Sequence, residues 1–302
     1  MLSNKLILCD GIQKMKELKT ESVHLILSDI PYGISYDEWD VLHDNSNSAL
    51  LGCSPAQEKT PLFKHRGKPL NGWSSEDKKI SKEYEQWCST WANDWLRVLK
   101  PGASCFIFAG RRYAHRCIAA LEDAGFIFKD MIACEKDSAA HRAQNVSKVF
   151  ERRNDDLNKE KWDGWKLGNL RPLFEPILWF VKPYPQGGTL TDNIVKYEVG
   201  GFNEKKLKEL LEYNVGIEIC SNVIRTKTED SDRGLHPTQK PLSLMKILIE
   251  LTTLPDQIVL DPFMGSGTTC VAAKECDRKY IGFEKNPEYF KIAKKRLSSK
   301  KS

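Results

Sequence analysis

The chain has no apolar run approaching the roughly 20 residues that a membrane-spanning helix needs, which sets a transmembrane reading aside. Its cysteines form no CxxC pair. The nearest couple, Cys270 and Cys276, lacks the ligand spacing of a zinc site. Nine scattered cysteines, an odd number, point to reduced and mostly buried thiols rather than a disulfide framework, and no metal site is expected. The opening MLSNKLILCDGIQ holds only a short apolar piece broken by Cys9 and Asp10, unlike a signal or transit peptide, so a cytoplasmic address follows. There is no internal repeat. A large charge excess is missing too: a net +5 is compatible with a nucleic-acid partner if the basic residues cluster on one face, and equally with a solvated basic surface.

What is present is a globular composition, 40% hydrophobic and 29% charged over 302 residues, enough for one large α/β domain or two ordinary ones. The end of the chain is the most legible part. After Pro241, the residues Leu244, Ile247, Leu248 and Leu251 share one helical face, and Pro255-Asp256 precedes a short strand at 258–260. A Gly-rich turn, a helix to about Glu275, a strand at 280–283 and a last helix from Pro287 complete a βαβ unit. Near the front the same alternation gives a helix at 12–18, a strand at 23–27, a helix at 87–99 and a strand at 104–108.

Two constellations carry chemistry. In the turn DPFMGSGTT, Gly265 and Gly267 permit a tight bend and close backbone approach, and the helix behind it offers free N–H groups beside Ser266, Thr268 and Thr269. Glu284 follows Asp261 by about 20 residues, the distance at which the acid on the second strand of a Rossmann-like unit reaches ribose hydroxyls. The third glycine of the dinucleotide fingerprint is missing, and Asp261 would repel a pyrophosphate while attracting a cationic amine. S-adenosylmethionine, with a zwitterionic tail, a ribose and a positive sulfonium, satisfies these demands. The same residues also make an ordinary strand-to-helix turn with an acid at a helix entry.

The second constellation is SDIPYG, residues 28–33, directly after an apolar strand. If the Asp29 carboxylate and the Ile30 carbonyl point into one crevice, they offer two acceptors, with Pro31 stiffening the turn and Tyr32 presenting a flat face. Such a set suits the exocyclic amine of a nucleobase. Accepting both of its hydrogens favours a more tetrahedral nitrogen whose lone pair can attack a methyl group. In-line positioning then matters more than a strong base, so Asp29 needs no raised pKa. A base must first leave the duplex stack, and an aromatic face offsets part of that cost. The bland alternative is a common Asp-x-Pro turn.

Together these motifs resemble the DNA amino-methyltransferases that make N6-methyladenine or N4-methylcytosine, in the beta group whose catalytic motif precedes the cofactor motif. SDIPYG resembles their D-P-P-Y motif, DPFMGSGTT the cofactor loop and HPTQKP (236–241) the segment before it. Further matches are Cys9-Asp10-Gly11, LRVLKPGA (96–103), the stretch from Gly125-Phe126 to Lys136, FEPILWFVK (174–182) and 281–284. The resemblance implies a Rossmann-like α/β fold, circularly permuted, with a mixed, mainly parallel sheet and helices on both faces. It assigns Asp29, Ile30, Pro31 and Tyr32 to the flipped base, with Asp29 also reaching the methionine amine. Asp10 would contact the adenine of S-adenosylmethionine and Glu284 its ribose. Asp261, Phe263, Gly265, Ser266, Gly267 and Thr268 would line the methionine and adenosine, with Thr238 and Lys240 near the carboxylate. Ile30 stands where the family usually has proline, but the role there belongs to a backbone carbonyl, which isoleucine keeps.

Residues 1–34, 86–136, 173–183 and 234–302 are accordingly read as the catalytic domain. The polar stretch 35–85 is an insertion or lid, and 137–172 and 184–233 are candidate target-recognition segments. Arg142, Lys148, Arg152, Arg153 and Lys166, interleaved with Trp162 and Trp165, are the expected contacts to double-stranded DNA. The competing reading pairs them with Asp155, Asp156, Glu160 and Asp163 on a solvated surface. The aspartate that leads the catalytic motif favours adenine N6. Cytosine N4 is the alternative, ahead of an RNA or protein acceptor or a DNA-binding module without catalysis. A homodimer and a cognate restriction enzyme are further expectations from the resemblance.

Overall fold

The computed structural model describes residues 3–33, 75–136, 143–212, 221–225 and 239–298. In chain order the first half gives β1 (Lys5–Leu8), α1 (Gly11–Met15), β2 (Val23–Asp29), α2 (Ser75–Val98), β3 (Leu99–Phe108), α3 (Ala114–Asp123) and β4 (Ile127–Glu135). A small excursion follows, with β5 (Gln144–Asn145), α4 (Val146–Glu151), α5 (Asp156–Lys161) and β6 (Lys166–Leu167). The chain then returns through β7 (Phe174–Val181), α6 (Leu190–Tyr197), α7 (Glu204–Glu212) and β8 (Val223–Arg225). It closes with α8 (Leu242–Thr252), β9 (Ile258–Asp261), α9 (Thr268–Glu275), β10 (Lys279–Glu284) and α10 (Pro287–Ser298).

The described residues form an eight-stranded sheet in the order β1-β10-β9-β2-β3-β7-β4-β8. β7 runs antiparallel to both of its neighbours and every other pairing in this sheet is parallel. Period-two alternation sorts the strands' side chains onto two faces. Ile26, Cys105, Ile107, Leu178 and Phe180 join one core cluster, and Leu25, Leu27, Phe106, Phe108, Ile177 and Trp179 the other. α2 and α3 cover the first face, while α8 and the Ala272-Ala273 side of α9 cover the second. Because both faces are covered, the strands read as continuous apolar runs.

The chain leaves β9 through α9 toward β10 and leaves β2 toward β3, so the winding reverses between β9 and β2. In open α/β sheets this reversal opens a crevice at the carboxyl ends of the strands. Asp261 and Asp29 are the last residues of those two strands. The catalytic motif and the cofactor loop, far apart in sequence, therefore meet at one place.

Two sequence boundaries move. α2 begins at Ser75, so residues 75–85, set with the insertion by their polar composition, open a long helix. Ile80, Tyr84, Cys88, Trp91, Trp95 and Val98 recur at helical spacing and are all buried, beneath a charged outer face that hid the period. Residues 35–74 of that insertion lie outside the described residues. The segment 184–233 also contributes to the main body. β8 pairs with β4, Leu207 and Ile224 are buried in the core, and buried Asn193 of α6 donates to the Pro101 carbonyl at 2.9 Å. The excursion 143–167 differs: neither of its helices buries a residue, and Leu157, Trp165 and Leu167 are exposed. No described helix is long and apolar enough to cross a membrane.

Candidate active site

A cavity of about 380 Å³ opens at the reversal point, within the range of small-molecule sites. Asp10, Asp29, Ile30, Pro31, Tyr32, Lys240, Asp261, Phe263, Gly265, Ser266, Thr268 and Glu284 line it. Of the catalytic and cofactor residues expected from sequence, Gly267 is absent from the lining and Thr238 lies outside the described residues; of the expected DNA contacts, Lys148, Arg152, Arg153 and Lys166 lie away from the cavity and Arg142 is outside the described residues. Gly267 turns toward α10. Its φ of +82° suits glycine, and a Cβ there would stand 2.8 Å from the Ala293 Cβ, so the missing side chain lets α9 sit close against α10.

The loop after β9 is held from several sides. The buried Asp261 carboxylate accepts from Ser28 Oγ at 2.7 Å and from the Phe263 N–H at 3.1 Å. Arg296 of α10 donates to the Ser266 carbonyl and to Thr268 Oγ1, both at 2.9 Å. Glu284 accepts from the Gly265 N–H at 2.9 Å and from the Asn286 N–H at 2.7 Å. Phe263 reaches the aromatic row of α2, with its ring centroid 5.8 Å from that of Trp87 and 6.1 Å from that of Trp95. At the opposite wall Asp10 caps α1 by accepting from the Gln13 N–H at 3.1 Å. The next residue, Gly11, has no room for a side chain: a Cβ would fall 2.0 Å from the Pro262 carbonyl oxygen.

The catalytic motif is anchored through its backbone and its tyrosine. The Ile30 N–H donates to the Phe108 carbonyl at 3.3 Å, and the buried Tyr84 hydroxyl donates to the Pro31 carbonyl at 2.8 Å. Tyr32 donates its hydroxyl to Glu175, and its ring lies against Gly110, where a Cβ would come within 3.0 Å. Lys240 Nζ donates to Asp29 Oδ2 and to Tyr32 OH, each at 2.8 Å, and stands 3.2 Å from Glu175 Oε1. The other Glu175 oxygen meets Lys136 Nζ at 3.0 Å. Asp29 Oδ1 is buried and has no hydrogen-bond partner among the described residues.

These placements set the electrostatics. Burial pushes the Asp29 carboxyl up to about 6, against the pull of the Lys240 ammonium and with the help of the Glu175 charge. Burial also lifts Asp261 to about 7, opposed by hydrogen bonds from Thr269, Ser28 and the Phe263 N–H. Burial alone would raise Glu175, but Lys240, Lys136 and the Tyr32 hydroxyl outweigh it and hold this carboxyl at about 2. Glu284 is raised by burial. The sequence required no raised pKa at Asp29. The structure supplies one because the carboxylate ends a strand inside the sheet's core.

Glu175, within the matched stretch FEPILWFVK, was not among the residues expected at the site. The available signal was an acid at the head of the apolar strand FEPILWF. Lys240, expected near the cofactor carboxylate, lines the cavity with its ammonium among Asp29, Tyr32 and Glu175. Among the described residues no group of His, Cys, Asp or Glu is arranged to hold a metal ion.

The residues present fit S-adenosylmethionine. A buried acid for an amine, a Gly-rich loop at a helix N-terminus and a strand-end acid beside it surround a cavity of suitable volume. Fold and site thus define a Rossmann-like methyltransferase with permuted motif order. The family model for DNA methylases of the N6/N4 type matches residues 23–295, and the chain belongs to this family, whose methyl donor is S-adenosylmethionine. Type II methyltransferase M.HindIII of Haemophilus influenzae is 56% identical over 295 residues, 97% of this chain and 94% of that protein. M.HinfI of the same species is 26% identical over 97% of this chain and 68% of its own length. Among solved structures, the cytosine-N4-specific PvuII DNA methyltransferase aligns with a TM-score of 0.63 at 17% identity, over all of this chain and 89% of its own. The M1.HpyAVI–SAM complex aligns with a TM-score of 0.54 at 22% identity, over 98% and 99% of the two chains.

The Asp261 environment gives a first prediction. A cationic amine beside Asp261 favours its ionised form, so the pKa near 7 falls on binding. At pH 7 binding should release about 0.5 proton, and below pH 7 affinity should fall by up to about tenfold per unit. Titration calorimetry of S-adenosylmethionine in two buffers of unequal ionisation enthalpy measures this. Zero proton exchange between pH 6 and 8 would remove Asp261 from the amine subsite.

Proposed function

We propose that this protein is a Type II modification methyltransferase that moves a methyl group to N6 of an adenine flipped out of duplex DNA. The observation that carries the reading is that Asp29 lines the same cavity as the Gly-rich loop and Glu284, with a buried Oδ1 that has no hydrogen-bond partner among the described residues. An acceptor in that position, next to a cofactor pocket, calls for a donor such as a base amine. The likeness to M.HindIII over nearly the whole chain supports the Type II assignment. A cytoplasmic location, a homodimer and a cognate restriction enzyme belong to the same proposal.

Asp29 Oδ1 and the Ile30 carbonyl accept the two amine hydrogens, holding the nitrogen lone pair toward the donor side of the cavity. Tyr32 stacks on the base, its ring fixed by Glu175 and Gly110. The bound cofactor supplies an electrophilic methyl group on a sulfonium. Asp261 faces the methionine amine and Glu284 the ribose, which sets the in-line approach. With a pKa of about 6, Asp29 is ionised above neutrality and accepts hydrogen bonds without needing to be a strong base.

Cytosine N4 is the second reading, since PvuII DNA methyltransferase is cytosine-N4-specific on a similar fold. Sequencing that reads modified bases directly, on genomic DNA from cells expressing the protein, separates the two. N6-methyladenine within one recurring sequence is expected. N4-methylcytosine would overturn the base, and unmodified DNA the function.

DNA contact is assigned to the segment 137–172, of which residues 143–172 are described. Lys148, Arg152, Arg153 and Lys166 make no ion pair with a described residue; Asp155, expected by the competing reading to pair with them, caps α5 by accepting from the Asn158 N–H at 3.0 Å and feels the Arg153 charge only as a lesser influence. Changing Arg152 and Arg153 together to Ala should weaken DNA binding and make the slope of log affinity against log salt shallower by about two. An unchanged slope would move the contact elsewhere.

A further inference from the structure

We propose that Lys240 and Glu175 are positioning residues for the target base: Lys240 ties one oxygen of Asp29 so that the other is left for the amine, and Glu175 holds Lys240 and Tyr32 in that arrangement. The proposal rests on the reading of Asp29 and Tyr32 as base-holding groups.

The geometry is specific. An ammonium has three donors, and among the described residues Lys240 Nζ faces Asp29 Oδ2 and Tyr32 OH at 2.8 Å and Glu175 Oε1 at 3.2 Å. The side chain is only 5% exposed, and its Nζ lies 5.2 Å from the ring centroids of both Tyr32 and Phe108, so packing as well as charge fixes it. Its hold on Oδ2 restrains rotation of the carboxylate and leaves Oδ1 as the oxygen without a hydrogen-bond partner among the described residues, on a residue that lines the cavity. Glu175 bridges the two halves of the device, because it accepts the Tyr32 hydroxyl and faces Lys240. It comes from β7, the one reversed strand of the large sheet. A single acid there sets both the stacking face and the acceptor.

A structural role and a positioning role predict different pH behaviour. The charged groups facing Asp29 are Lys240 from the segment before α8, Glu175 from β7, Tyr32 from its own loop and Asp261 from β9. Lys136, at the end of β4, acts on Glu175. Lys240 favours the ionised Asp29 and Glu175 opposes it. Removing the cation must therefore move the acid limb of the pH–rate profile up, and removing the Glu175 charge must move it down.

The test measures methyl transfer from saturating S-adenosylmethionine to unmethylated mixed-sequence genomic DNA between pH 5 and 9. The wild type should show an acid limb near 6. Lys240→Met should shift it up by about one unit or more, with about tenfold or greater loss at pH 6 and partial recovery at pH 9. Lys240→Arg should restore the wild-type limb. Glu175→Gln keeps an acceptor for Tyr32; it should shift the limb down while lowering kcat about tenfold. If Lys240→Met does not fold, the downward shift in Glu175→Gln and the rescue by Lys240→Arg decide the matter. Limbs that stay in place while activity falls equally at every pH would overturn the proposal, as would a Lys240→Met defect confined to the cofactor KM. Absence of methylated product from the wild type would instead overturn the reading of the site itself.

Discussion

Asp29→Ala is expected to abolish methyl transfer, by about a thousandfold or more in kcat, while leaving a folded protein that still binds S-adenosylmethionine. The expectation follows from where the charge stands. Asp29 is the last residue of β2 and lines the cavity, and its buried Oδ1 has no hydrogen-bond partner among the described residues. Alanine removes the group proposed to orient the amine but leaves Ser28, Asp261, Glu284 and the Gly-rich loop in place. Lys240, losing one partner, keeps Glu175 at 3.2 Å, so the buried ammonium is not stranded. Cofactor affinity should thus change by no more than about threefold, the extent to which Asp29 also faces the methionine amine. Rates at saturating cofactor and DNA, with calorimetry for the cofactor, separate the two effects. Turnover within about tenfold of wild type would contradict the role.

Glu284→Ala should act on the other parameter. This carboxylate ends β10 and accepts from the backbone N–H groups of Gly265 and Asn286, so it both faces the proposed ribose position and ties down the Gly-rich loop. Losing charge-assisted hydrogen bonds to two ribose hydroxyls, together with the loop tether, should raise the cofactor Kd about a hundredfold. With cofactor made saturating, kcat should stay within about fivefold of wild type, because nothing at the amine has changed. An unaltered Kd would remove Glu284 from the ribose, and a kcat loss that excess cofactor does not relieve would tie it to the chemical step.

The two motifs were legible because each is local: a turn's glycines, hydroxyls and acids lie within a few residues, and strand-to-helix alternation shows around them. Their meeting was legible only through the resemblance, since nothing in the spacing of 29 and 261 says that β2 and β9 are neighbours. The same limit explains Glu175. Its function depends on β7 entering the sheet reversed between β3 and β4, which brings its first residues beside the carboxyl end of β2, and no local pattern reports that. Composition misled at α2, where charged residues on the outer face concealed Ile80 and Tyr84. It misled again at 184–233, where a polar average hid the strand Val223–Arg225 and the buried Leu207. In both segments burial follows a periodicity that an average over the window erases. The raised pKa of Asp29 was beyond the sequence as well, because desolvation belongs to the assembled core.

The claim on which the account turns is that Asp29 presents a base amine to the methyl donor, and that the amine is N6 of adenine. Its most direct test incubates the wild type and Asp29→Ala with S-adenosylmethionine and unmethylated mixed-sequence duplex DNA, digests the DNA to nucleosides and weighs them by mass spectrometry. The account predicts N6-methyladenine from the wild type and none from the variant. N4-methylcytosine from the wild type would contradict the choice of base, and equal product from both proteins would contradict the role of Asp29.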